Sequence, residues 1–227
     1  MNKRIQNVFT TVRAMSAVLN GEVGAATGTG VVIARRRLDQ AADRIAALDT
    51  EQRGAVRALA VLAPRLRALR KELRTDHMQP IIAIAKRELG EETGLGFLRV
   101  PRGTATTMEL IMAARVMAQS VAPYSFAFVK TGMPVNFVEQ IRLLSVSLED
   151  AQVERYRQRV VRKAATEGLA AMEREGRGLI RIVDALVRRR IRSQPAVLAR
   201  WEWASCVAGS QGGRRRRRGA VRTGDAA

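Results

Sequence analysis

The chain has one cysteine, Cys206, and one histidine, His77, among 227 residues. A single cysteine excludes a disulfide framework and any cysteine-based zinc site. It suits a reducing compartment, so a cytoplasmic location is expected. A single histidine excludes the paired ligands of a di-iron helical bundle and the two-histidine helix motif of zinc proteases. A Ser-His-Asp triad would have to use His77, and no Gly-x-Ser-x-Gly turn accompanies it. His77 stands three residues before Pro80, where a capping or loop histidine is the simpler reading. Aromatic residues are only 4%, too few for the cross-strand packing of a β-sandwich. Uninterrupted apolar runs are also missing. The nearest, Met108 to Val129, carries Glu109, Arg115 and Gln119, so no membrane-spanning helix is expected. After Met1-Asn2-Lys3-Arg4, the residues Gln6, Asn7 and Arg13 break up what a signal peptide would keep apolar.

Two further motifs fail on their chemistry. The segment 21–30 is rich in glycine but has no lysine for a phosphate charge and no strand pattern before it, so it reads as a connector. The carboxylate pairs Glu91/Glu92 and Glu149/Asp150 sit in a Gly-rich loop and at a proposed helix start. Nothing near them would separate their pKa values as acid–base work requires. No catalytic residue, cofactor or metal ligand is therefore expected.

What is present is helical periodicity and positive charge. Ile5, Val8, Phe9, Val12, Met15, Val18 and Leu19 recur at three- and four-residue spacing and predict a helix over 3–19. A second helix is expected over 35–48, with a break and fresh start at Asp49–Gln52. The seam from Val56 to Leu73 contains Pro64, which predicts a kink or a new helix there. Further helices are expected over 81–89, 104–121, 123–130 and 196–207, and Thr75–Pro80 is a strong punctuation. Phe97–Val100 is the one strand-like stretch. Gly132 is placed to end one helix and Pro134 to open the next at its first position. Beyond it, the apolar stripe of Phe137, Ile141, Leu144 and Leu148 changes phase to Val153, Tyr156 and Val160. That change means a break, a bend or a new partner. A helix over 134–146 and a longer one over about 148–192 are expected, either separate or fused.

The reading is all-α: a multi-helix bundle of antiparallel helices with one long helix in the C-terminal half. Residues 1–207 are expected as a single helical domain, with helix 3–19 held loosely through linker 20–31. Residues 208–227 have no core-forming pattern and are expected as a disordered Arg-rich tail.

The formal charge is +19, and 35 of the 40 basic residues are arginine. Such a balance suits contact with a polyanion. An Ala-, Gly- and Val-rich chain with few lysines is also what GC-rich coding produces. Candidate polyanion-binding residues fall in three groups. Arg155, Arg159, Arg162 and Lys163 share part of one helix face. Arg188, Arg189, Arg190 and Arg192 surround a helix end, where cations are favourable for local reasons. Arg214, Arg215, Arg216, Arg217 and Arg218 lie in the tail. A solvated face is the competing reading for the helical groups. No helix-turn-helix or stacking platform accompanies them, so sequence-specific readout is not expected.

Three functional classes stay open. The first is a non-catalytic helical scaffold or interaction protein, bound to an unknown protein partner or to itself through helix packing. The second is non-specific nucleic-acid or polyanion binding through the arginine clusters. The third is an enzyme with an unrecognised site, which no residue pattern supports.

Overall fold

The computed structural model describes residues 1–21, 29–89 and 94–206. Among these residues, seven α-helices carry the fold: α1 (Lys3–Gly21), α2 (Thr29–Lys71), α3 (Gln79–Glu88), α4 (Thr107–Val121), α5 (Ser125–Lys130), α6 (Phe137–Ile191) and α7 (Pro195–Ser205). Among the described residues there is no strand. Phe97, expected to begin an extended stretch, closes a 3₁₀ turn over Leu95–Phe97, and extended backbone begins one residue later at Leu98.

Within residues 1–207, expected as a single helical domain, the chain forms two compact units. Of the described residues, one unit holds 1–21, 29–53 and 162–206, and the other holds 54–89 and 94–161. The chain passes from one to the other inside α2 and inside α6.

The first unit packs α1, the first half of α2, the second half of α6 and α7 around one core. Val8, Val12 and Met15 of α1 are fully buried, so the helix expected to hang loosely is integral to this unit. Leu38 and Ile45 from α2, Leu169 and Val183 from α6, and Trp201 from α7 fill the same core. Two glycines set how closely its helices approach. A Cβ at Gly176 would lie 2.6 Å from Val8 Cγ1, and one at Gly168 would lie 3.0 Å from Leu48 Cδ2.

The second unit packs the rest of α2, α3, α4, α5 and the first half of α6 around a separate core. Leu73, Met78, Ile81, Leu110, Ile111, Phe128, Phe137 and Leu148 are all buried there. Phe128 and Phe137 meet with ring centroids 5.5 Å apart. α4 starts on a complete capping box: Thr106 Oγ1 accepts from the Glu109 N–H, and Glu109 accepts from the Thr106 N–H.

Helices run through four expected interruptions. α2 continues across Asp49–Gln52 and through Pro64. Proline removes the bond to the carbonyl four residues back, but Ala60 and Pro64 are both exposed, so water can reach that carbonyl. At Thr75–Pro80 the chain makes a π turn over Glu72–Met78 and enters α3 without unwinding, with the Gln79 N–H donating to the Arg74 carbonyl. The wider turn relieves the clash that the Pro80 ring would meet in a tighter one. α6 passes Ser147 unbroken, so the two expected segments are one helix of 55 residues. The phase change is real but reflects a change of partner. Its buried residues run from Phe137 to Ala151 in one unit and from Ala165 to Ile191 in the other.

Gly132 ends α5 with φ +102. The Met133 N–H donates to the Phe128 carbonyl and the Gly132 N–H to the Val129 carbonyl, both at 3.0 Å, which closes the last turn. Pro134 does not open α6 directly. It lies in a preceding turn, where its carbonyl accepts from the Phe137 N–H at 3.1 Å.

Candidate interaction surface on helix α6

Between Gln152 and Ala164, α6 has no buried residue. The part of it in the second unit instead carries an exposed row. Leu143, Val146, Asp150, Val153, Arg157 and Val160 recur at alternating three- and four-residue spacing, which sets them along one side of a helix. All six are exposed. Val153 is 62% exposed, and Tyr156 beside it is 69% exposed. Isolated apolar side chains at a surface need no explanation, but here four share one side of the helix with Asp150 and Arg157 set between them, an exposed row that a partner could cover.

A second exposed row lies on α4 in the same unit, where Met108, Met112 and Val116 are spaced by four. Arg115 of α4 is ion-paired with Glu149 of α6. The ion pair also shows what Glu149 does: it joins two helices, and only Asp150 of that carboxylate pair stays exposed.

The described basic residues singled out from sequence are divided between the two units. In the second unit, Arg155 is half-buried and Arg159 exposed. In the first unit, Arg162 is exposed and Lys163 lies 3.9 Å from Glu167. Arg188 is engaged within the fold. Its Nε donates to Asp184 Oδ1 at 2.7 Å and its Nη1 to Glu202 Oε1 at 2.8 Å. The Asp184 hydrogen bond holds its guanidinium above the ordinary arginine range, against desolvation and with help from the charges of Asp184 and Glu202. The Trp201 indole N–H donates to the same Asp184 oxygen at 2.9 Å, so Asp184 and Arg188 tie α7 to α6. Arg189, Arg190 and Arg192 are exposed. Arg214, Arg215, Arg216, Arg217 and Arg218 lie outside the described residues, as do Glu91 and Glu92.

Other arginines also have work inside the fold. Arg13, Arg35, Arg53 and Arg177 pair with Asp43, Asp39, Asp49 and Glu173. In the run from Arg65 to Arg74, Arg70 donates to the Ala105 carbonyl at 2.6 Å and to Thr107 Oγ1 at 3.0 Å. Arg74 donates to the Arg102 carbonyl at 2.9 Å. That run holds down the segment leading into α4, a role its spacing alone does not reveal.

Open grooves lie on the first unit. One of about 890 Å³ lies between α2 and α6, floored by Ala41, Met172, Gly178 and Leu179 and rimmed by Arg37, Arg44, Asp43 and Glu175. Another, about 530 Å³, lies between α1 and α7 beside the exposed Trp203. His77 is half-buried in the π turn and lines neither. Among the described residues no group of three or more His, Cys, Asp or Glu could hold a metal ion. No helix among them is long and apolar enough to cross a membrane.

Compared with protein-family models, curated proteins and solved structures, the chain matches none.

Proposed function

We propose that this protein is a non-catalytic helical interaction protein that docks a polypeptide partner along the exposed row of α6. The observation that carries the reading is the row itself. Leu143, Val146, Val153 and Val160 repeat at helical spacing on a side of α6 turned away from its core. Burying one such side chain fully contributes about 1.5–3 kcal/mol, so several in line can hold a partner helix.

A photo-crosslinking residue in place of Val153 tests this in cells making the full chain. Adducts with a polypeptide are expected there and not from the same residue in place of Lys86, an exposed position on α3. A chain that gives no polypeptide adduct at position 153 does not have this function.

A second reading, non-specific polyanion binding, is favoured by a different observation. Arg159, Arg162, Arg189, Arg190 and Arg192 are exposed, and the chain carries a formal charge of +19. These cations could neutralise phosphates without reading bases.

A further inference from the structure

We infer that the occupant of the α6 row is a second copy of this chain, laid antiparallel across it with Val153 at the centre. The inference rests on the reading of this row as a docking surface and adds the partner's identity.

The pattern of the row favours this occupant. Val146, Val153 and Val160 are seven residues apart and all exposed. A helix reversed about Val153 sets Val146 of one copy opposite Val160 of the other, twice, and Val153 opposite itself. Seven residues span about 10 Å of helix, so the three pairs cover about 21 Å. Valine is short, which allows the 8–10 Å axial separation of packed helices.

Charge then selects a copy of the same chain, and the reversed orientation. Glu139, Glu149 and Asp150 lie before Val153, with Arg142 as the only cation from 139 to 152. From 154 to 163 the chain has Arg155, Arg157, Arg159, Arg162 and Lys163 against one acid, Glu154. With Glu139 paired to Arg142 and Glu149 to Arg115, the charges left on the row itself are Asp150 before Val153 and Arg157 after it. Reversal brings each against its opposite. It sets Asp150 opposite Tyr156 of the other copy and beside its Arg157. Neither Asp150 nor Arg157 enters an ion pair among the described residues, whereas Glu149 is already joined to Arg115. A parallel copy would set Asp150 against Asp150 and Arg157 against Arg157, and like charges at such distances repel. The whole row lies in the second unit.

Sedimentation equilibrium of the full chain tests the pairing. The wild type is expected to show a concentration-dependent dimer. Asp150→Arg and Arg157→Asp should each weaken it at least tenfold, and an equimolar mixture of the two variants should recover it. Positions 146, 150, 153, 157 and 160 are all exposed, and circular dichroism checks that each variant folds. Orientation is read from disulfides in a Cys206→Ser background. Val153→Cys alone should cross-link to itself, as should Val146→Cys mixed with Val160→Cys, while Val146→Cys alone should not. A wild type that stays monomeric at every concentration overturns the inference, as does a dimer indifferent to both charge reversals. If the chain is monomeric yet gives polypeptide adducts at position 153, self-pairing is wrong and the docking reading stands. If it is monomeric and gives none, both are wrong.

Discussion

At the scale of single residues, glycines of the same helix behave oppositely because of what lies beside them. Gly176 and Gly178 each weaken a helix by about 1 kcal/mol against alanine. Only Gly176 is needed, since its missing Cβ makes room for Val8, which is fully buried and has nowhere to go. Gly176→Ala should therefore lose about 1–3 kcal/mol net of the propensity gain. Gly178 has nothing within 4 Å, and Gly178→Ala should gain about 0.5–1 kcal/mol. Urea unfolding of the two variants checks the difference in sign. Trp201 offers a second residue-level test. Trp201→Phe keeps most of the buried ring but removes the hydrogen bond to Asp184. Bonds to a charged acceptor contribute about 1.5–3 kcal/mol. Because Arg188 still bonds Asp184, a loss near the lower figure is expected, read as a lowered unfolding midpoint.

At the scale of elements, helix ends and interruptions depend on whether freed backbone groups find a partner. α4 relies on its capping box, so Thr106→Ala should cost about 1 kcal/mol. Serine there should recover most of it, a comparison that thermal unfolding by circular dichroism resolves. Pro64 sits inside α2, where proline carries a penalty of about 3 kcal/mol or more in a fully formed interior. Because the position is exposed, Pro64→Ala should restore the bond to Ala60 without a clash and raise stability by about 1–3 kcal/mol. A destabilised variant would mean that the proline shapes α2 in a way its burial does not show. α6 illustrates the opposite case. Ser147 has the chemistry of a helix start, but a residue already inside a helix has no orphan N–H groups to cap.

At the scale of the whole molecule, two cores and a large positive charge stand out. Each core draws on its own stretches of α2 and α6, so both helices change the face they bury as the chain enters the other unit. The excess charge is spread over both units, and many arginines are spoken for by carboxylates or carbonyls. Binding to duplex DNA, if the exposed remainder supports it, should fall by more than tenfold between about 50 and about 200 mM salt and show no sequence preference. Fluorescence anisotropy with two unrelated duplexes checks both points. Association that ignores salt would remove phosphate neutralisation as its cause.

The helical class, most helix positions, the stop at Gly132 and the long helix of the C-terminal half could be read from spacing and turn chemistry, because these depend on neighbours a few residues away. The phase change in α6 was equally visible in the positions of Leu148 and Val153. Whether it meant a break could not be read there, because a helix continues or stops according to what packs on it. The same limit applies to Pro64, whose freed carbonyl is tolerable only where water reaches it, and to Gly176, whose value is the distance to Val8. For the arginines, sequence determined their number and their runs. Tertiary structure alone decided that Arg70, Arg74 and Arg188 are committed within the fold, because an ion pair or a carbonyl bond needs a partner brought from another helix. It likewise left Val146, Val153 and Val160 exposed, since periodicity shows only that they share a side and packing alone shows that no described residue of the same unit buries them.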